Sequence, residues 1–154
     1  MKRIVSLLIV VVGIAFAGIV WANDIKVKSV SALPEASQEF LKKHFGAKLS
    51  IHEMEFDAKE DVYSVELRNG YEVKFNSKGK TVEVDSPDLK DISVDIVKDV
   101  LPAKAVTYLE TEGLLGDIDE IEVLANGGYL VGIEKIASDI DIKFDKDGNL
   151  LKRF

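Results

Sequence analysis

Apolar and polar positions alternate most cleanly between Tyr63 and Phe75. Tyr63, Val65 and Leu67 share one parity, and the set resumes after Asn69-Gly70 with Tyr71, Val73 and Phe75. Period-two alternation marks a strand with one packed face, and Asn-Gly between two such runs marks a hairpin. Parity also predicts the turn. A two-residue loop sets Leu67 against Glu72, whereas the three-residue loop Arg68-Asn69-Gly70 sets Leu67 against Tyr71 and needs a left-handed Gly70 in a bulge. Ser64, Glu66, Glu72 and Lys74 then turn away, giving an antiparallel sheet with one wet face.

The neighbouring segments extend this unit. Leu33 to Phe45 reads as an amphipathic helix, with Pro34 at its first position, Glu35 at its positive end and Gly46 as its stop. Its packing stripe is Leu33, Ala36, Phe40, Leu41 and Phe45. Leu49 to Phe56 is a strand whose alternation slips, which predicts a bulge near His52. Asn76-Ser77-Lys78-Gly79 is a turn and Thr81 to Val84 a fourth strand. Ser86-Pro87-Asp88 breaks the chain. Asp91 to Val100 follows as a short helix or an extended linker, the helix capped by Ser93 being preferred, within a linker spanning 86–100.

The pattern then repeats. A shift of 68 residues carries Leu33-Pro34 onto Leu101-Pro102, and a shift of 69 carries Phe75 onto Phe144 and Gly79 onto Gly148. Ala105, Val106 and Leu109 form the second helix stripe, with Gly113 as its stop. Strands are expected over Ile118–Leu124, then from Tyr129 through Ile133, over Ile140–Phe144 and over Leu150–Phe154. Asn126-Gly127-Gly128 is a hairpin turn, and a longer turn through Lys135 to Ser138 replaces the central Asn-Gly. The expected fold is α+β, two tandem helix-plus-four-strand antiparallel repeats with the helices on one face of the sheet. Its segments are a lead-in over 23–32, a first repeat over 33–85 and a second over 101–154.

Leu-Pro, a helix ending in Phe45-Gly46-Ala47-Lys48, and then Tyr-x-Val-x-Leu-x-Asn-Gly-x-x-x-x-Phe-x-x-x-Gly from Tyr63 to Gly79 make a recognisable set. It resembles the PepSY-like, beta-lactamase-inhibitor-like domain of exported bacterial proteins, over about residues 33–154. The resemblance implies a helix-backed antiparallel sheet whose open face is available to another protein. It implies neither a catalytic set nor a defined partner.

Composition narrows the functional classes. The chain of 154 residues has 20 basic and 27 acidic residues, two His and no Cys. Residues 1–22 hold Lys2 and Arg3 and no acid, so the remainder carries 18 basic against 27 acidic residues, or −9. An acidic body does not suit nucleic acid or anionic lipid, both of which demand Lys and Arg. Without Cys there are no disulfides, thiolate nucleophiles or Cys-ligated metals.

Residues 1–22 read as an export signal: Lys2-Arg3, a run free of charge from Ile4 to Val20, and a cut after Ala22 or Ala17. An uncleaved anchor is the other reading, since Ile4 to Val20 is near the shortest span of a bilayer. Export is preferred because polar Asn23-Asp24 follows at once. The product is periplasmic or secreted, with no membrane contact after signal removal.

Candidate chemistry is sparse. Asp145-Lys146-Asp147-Gly148-Asn149 resembles part of a calcium loop, but Lys143 and Phe154 stand where an EF-hand needs its first and last ligands, so a hairpin turn is preferred. His44 and His52 read as structural, although Glu53 or Glu55 could complete a metal site by eye. Asp117, Asp119, Glu120 and Glu122 offer a carboxylate pair for hydrolysis, with no phosphate loop, nucleophile elbow or zinc motif beside them. The wet face is more informative. It presents Glu66, Arg68, Glu72 and Lys74 in the first half and Leu130, Gly132 and Glu134 in the second, with Leu130 and Gly132 as an apolar spot in a charged surface. The leading expectation is an exported non-enzymatic binding or inhibitor-like protein that uses this face on an envelope or secreted protein, with no cofactor. The alternative is a metal-dependent or hydrolytic module using the acidic strand residues.

Overall fold

The computed structural model describes residues 24–46, 49–88, 90–135 and 138–154. The presumed export signal, residues 1–22, and residues 136 and 137 of the second central turn lie outside the described residues. The elements are β1 (Asp24–Lys26), a 3-10 turn (Val30–Ala32), α1 (Glu35–Phe45), β2 (Ile51–Asp57), β3 (Val62–Leu67), β4 (Glu72–Asn76) and β5 (Thr81–Asp85). Then come α2 (Val94–Val100), α3 (Ala103–Thr111), β6 (Glu120–Val123), β7 (Tyr129–Lys135), β8 (Ser138–Phe144) and β9 (Leu150–Arg153). The nine strands form one antiparallel sheet in sequence order, so the fold is α+β.

The central hairpin has the turn that parity demands. The Gly70 amide donates to the Leu67 carbonyl at 2.9 Å, the Leu67 amide donates to the Tyr71 carbonyl at 2.8 Å, and Gly70 has φ +93°. Val65, Leu67, Val73 and Phe75 are buried. The register of β2 on β3 slips between Ile51 and Glu53, which places the expected bulge at His52.

The repeat is visible contact by contact. Phe75 pairs with Tyr63, and Phe144 with Tyr129, at equivalent places in β3–β4 and β7–β8. The ring of Phe40 on α1 meets Phe75 edge-on at 5.7 Å, and Tyr108 on α3 meets Phe144 edge-on at 5.7 Å. Such aromatic pairs add to what their burial alone contributes. Leu33 and Leu41 are buried in the first half, Leu101 and Leu109 at the matching places in the second. The turn before the fourth strand of each half touches the start of that half's helix. A methyl group on Gly79 (φ +80°) would stand 2.9 Å from Pro34 Cβ; on Gly148 (φ +82°) it would stand 2.8 Å from the Ala105 amide nitrogen and 3.0 Å from Pro102 Cβ. Only glycine fits both the dihedral and the space.

Several expectations need correction. The lead-in segment is not a plain approach: Asp24–Lys26 pairs with Glu55–Asp57 and makes the ninth strand. Pro34 caps α1 from outside instead of opening it, because its ψ of 145° is extended. Ala36 is exposed, and Ser37 takes the buried place on α1. The linker holds α2, whose Ser93 side chain accepts from the Ile96 amide; with Ile92, Ile96 and Val97 it adds to the core. Lys135 and Ser138, expected in the second central turn, belong to strands. Pairing runs to Lys135 and Ser138, so strands of seven residues take up the extra chain.

Ser37 is the one irregularity in the repeated core among the described residues. Its Oγ is buried without a hydrogen-bond partner, and the matching residue in α3 is Ala105, also fully buried. An unmade buried hydrogen bond is costly and Ala is the better helix former. Ser37→Ala should therefore raise unfolding free energy by about 1 kcal/mol in urea denaturation. Gly148→Ala, forced against α3 at positive φ, should lower it by about 1–3 kcal/mol in the same experiment.

Candidate functional site

Strand register turns scattered acidic residues into an ordered array. On the polar parity of the sheet, Glu53 pairs with Glu66, Glu66 with Glu72, Glu72 with Asp85, and Asp85 with Glu120. Glu120 then faces Gly132, and Gly132 faces Asp141. One row thus crosses β2 to β8 with six carboxylates and a glycine. The adjacent row reads Lys26, Glu55, Ser64, Lys74, Glu83, Glu122, Leu130, Lys143 and Lys152 across all nine strands. It is mixed in sign, with both carboxylates of its centre on β5 and β6.

Like charges directly opposite on neighbouring strands repel, and compensation is uneven. Lys26 Nζ sits 2.6 Å from Glu53 Oε1 at one margin. Lys74 reaches Glu83 at 2.8 Å and Glu72 at 3.7 Å, while Ser64 Oγ donates to Glu72 at 2.7 Å. Burial works against the Lys74 cation, but Glu83 and Glu72 outweigh it and hold its pKa above the usual lysine value. Among the described residues no cation is within ion-pair distance of Asp85 or Glu120. Burial, then Glu72 and Glu83, pushes Asp85 up to about 6; burial, then Asp85 and Glu83, pushes Glu120 up to about 7. Asp119 and Glu122 are also raised, chiefly by burial. Asp85 is the more exposed of the central pair, so water screens it more and Glu120 carries the larger perturbation.

The expected partner-binding residues lie together around this array. Glu66, Glu72 and Gly132 belong to the acidic row and Lys74 and Leu130 to the mixed row, with Glu134 exposed further along β7. Arg68 lies in the central turn and lines a groove of about 490 Å³ with His52, Glu66, Tyr71, Glu72 and Asp85. The expected apolar spot is partly covered: Leu130 is half-buried, and Gly132 is buried with Glu120 Cβ at 3.2 Å and Asp119 Oδ1 at 3.5 Å from where its own Cβ would stand. Asp119 is tied down further, accepting from the Glu134 amide at 3.0 Å.

The remaining candidates are occupied in structural work. Nearly buried His44 bonds Asp99 Oδ2 at 2.7 Å and stacks on Phe40 at 4.5 Å. Lys43 also bonds Asp99, and Lys43 first, with His44, holds the Asp99 carboxyl below its ordinary range against the opposing effect of burial. Asp145 Oδ1 accepts from the Asp147 and Asn149 amides, and Asn149 donates to Oδ2. Asn76 does the same for Lys78 and Lys80, so the two loops are one turn in two copies.

Comparison with known proteins fits this geometry. The family model described as "Putative beta-lactamase-inhibitor-like, PepSY-like" matches residues 20–83 and again 61–152. The chain belongs to this PepSY-like family. Its two matches overlap over residues 61–83, the second beginning just before β3 of the first half. A periplasmic protein of unknown function from Bacteroides vulgatus is 26% identical, with TM-score 0.67, over 85% of this chain and 98% of the other. A second Bacteroides vulgatus protein, of the DUF2874 family, is 26% identical with TM-score 0.66 over 86% and 97%. A protein of Bacteroides thetaiotaomicron described as calcium-regulated and periplasmic is 28% identical with TM-score 0.64 over 85% and 96%. No curated protein matches. Like these relatives, the PepSY-like chain is periplasmic or secreted. Among the described residues no helix is long and apolar enough to cross a membrane.

Sequence reasoning missed Glu83 and Asp85 as site residues of this PepSY-like sheet and treated Glu120 and Glu122 apart from Glu66 and Glu72. The signal that joins them is the β5–β6 pairing, which spans the linker and α2. Lys74 lowers the pKa of both Asp85 and Glu122. Lys74→Gln should therefore raise both titration midpoints, read from carboxyl carbon shifts by NMR.

Proposed function

We propose that this protein is an exported, non-enzymatic, inhibitor-like binding protein that holds a protein partner against the polar face of its sheet. In this reading α1, α2 and α3 cover the opposite face and leave the rows free. The acidic row from Glu53 to Asp141 carries the reading, because it runs through both halves, interrupted at Gly132 alone, on strands rather than loops. Side chains on paired strands are held in fixed register, and a broad surface of one sign steers and orients a partner of the other. The matching surface presents Lys and Arg. Partner contact falls on Glu66, Arg68, Glu72, Lys74 and Glu134, with Leu130 and Gly132 as the firm floor beneath.

Hydrolysis is disfavoured by the direction of the shifts. Acid and base roles need two carboxyls pushed apart in pKa, whereas Asp85 and Glu120 are pushed the same way, both chiefly by burial and Glu120 further by Asp85. The calcium-regulated description of the Bacteroides thetaiotaomicron relative favours a cation-dependent reading. Among the described residues no three carboxylate or imidazole groups converge on a point that would hold a metal ion, so that reading has no residues to rest on.

Photocrosslinkers at Glu66 and Glu134, with Glu39 on α1 as the control, test the surface in native envelope. Adducts are expected from the first two positions alone. With the captured partner purified, Glu66→Lys should weaken its binding at least about tenfold in a titration at low salt. Adducts from Glu39 only, or unchanged affinity of the variant, would sink the reading.

A further inference from the structure

The two halves pair along three residue pairs: Glu83 with Glu122, Val84 with Ile121, and Asp85 with Glu120. The middle pair is fully buried and apolar. Both outer pairs set carboxylate against carboxylate on the polar face. The Ser86 amide extends the joint to the Asp119 carbonyl at 2.9 Å, and the Ile92 amide bonds the Ile118 carbonyl at 2.6 Å. Among the described residues the only strand pairing between the halves is therefore flanked on both sides by opposed carboxylates.

We propose that this joint is a proton-operated latch, loosened when its four carboxylates are ionised and tightened when Asp85 and Glu120 take up protons. Asp85 faces Glu72 and Lys74 from β4, Glu83 on its own strand, Glu120 from β6 and Asp119 just before it. His52 and Arg68 line the same groove as Asp85. Glu120 faces Asp85 and Glu83 from β5, Glu122 on its own strand, and Asp119. From β7 it meets only Gly132, beyond which lie Asp141 on β8 and Glu134 on β7. Lys74 and Lys143 reach Glu122, and Asp91 adds to the negative field at Asp119. Carboxylates outnumber cations on every side. Lys74 is ion-paired to Glu83 and Glu72 and is not available to Glu120.

The sign follows from linkage. The folded values of about 6 and about 7 lie above the ordinary 3.8 and 4.5. Between those limits the folded joint keeps protons that the opened chain has released, so its stability falls as pH rises from about 4 to about 7 and is flat above. This is opposite to ordinary acid denaturation, in which carboxylates held by cations lose their partners. The latch stands whether or not the polar face docks a partner.

Amide hydrogen exchange on the full exported chain, corrected for intrinsic rates, tests it at pH 5 and pH 8. The β5 and β6 amides, Ser86 included, should be protected at least about tenfold more at pH 5, a factor set by one unit of pKa shift. Val131 and Ile142 amides in β7 and β8 should change less. Asp85→Asn/Glu120→Gln should remove the pH response while keeping the protection seen at pH 5. If the double variant does not fold, Glu120→Gln alone should remove at least half of the response on a logarithmic scale. Equal or weaker protection at pH 5, an equal change in β7 and β8, or a wild-type response in the variants would overturn the latch.

Discussion

The pairing of β5 with β6 is the constraint on which the molecule depends. Each half buries a small set of apolar residues against one main helix, too little to stabilise a free-standing domain. Joining the fourth strand of the first half to the first strand of the second makes one sheet and one core. Val84 and Ile121 meet at its centre, with Ile92, Ile96 and Val97 contributed from the segment between the halves. Other ties reinforce the union. His44 and Lys43 on α1 hold Asp99 on α2, and Tyr71 Oη donates to the Asp91 carbonyl at 2.8 Å. These bonds knit the first helix and hairpin to the connecting segment, so that segment is part of the structure that holds the halves together.

The two copies keep what the core requires and diverge elsewhere. Phe40 on Phe75 and Tyr108 on Phe144 preserve one edge-on geometry, and Gly79 and Gly148 preserve one close approach to a helix start. The outer edges are treated differently. β1 is three residues long, and Ile25 on it is exposed; β9 exposes Leu150, Leu151 and Phe154. Lys26 at one margin and Lys152 with Arg153 at the other place charge on strands that would otherwise invite pairing with another chain. Lys152 also lies over the Phe154 ring, 3.9 Å from its centre.

On the polar face, folding and function pull apart. Carboxylates opposed across strands weaken the sheet, and the weakest point for them is the joint on which the whole fold relies. Surfaces that break a local rule without relief are where function tends to reside. A row of one sign across seven strands gives direction and reach to a docking surface, and the same row makes its central joint responsive to protons.

Much of the fold was legible in residue order because it rests on local rules. Alternation from Tyr63 to Phe75 determined the hairpin and its three-residue turn, and slipping parity called for a bulge near His52 that only the strand register located. Recurrent Leu-Pro, Phe and Gly determined the duplication. These signals act within a few residues, or by exact recurrence, and survive without knowledge of the rest. At the spot formed by Leu130 and Gly132, residue order did not decide between exposure and cover; Asp119 and Glu120 close on Gly132, while Leu130 stays half-buried. Asp24–Lys26 gave no sign of joining the sheet, since three mixed residues become a strand only when β2 offers an edge. Most of all, the acidic row belongs to tertiary structure. Glu72, Asp85 and Glu120 are ordinary surface carboxylates in the chain, and only long-range register places them side by side. Residue order decided which face each side chain takes; pairing across the joint decided which charges must share it, because Coulomb repulsion depends on distance in space and not along the chain.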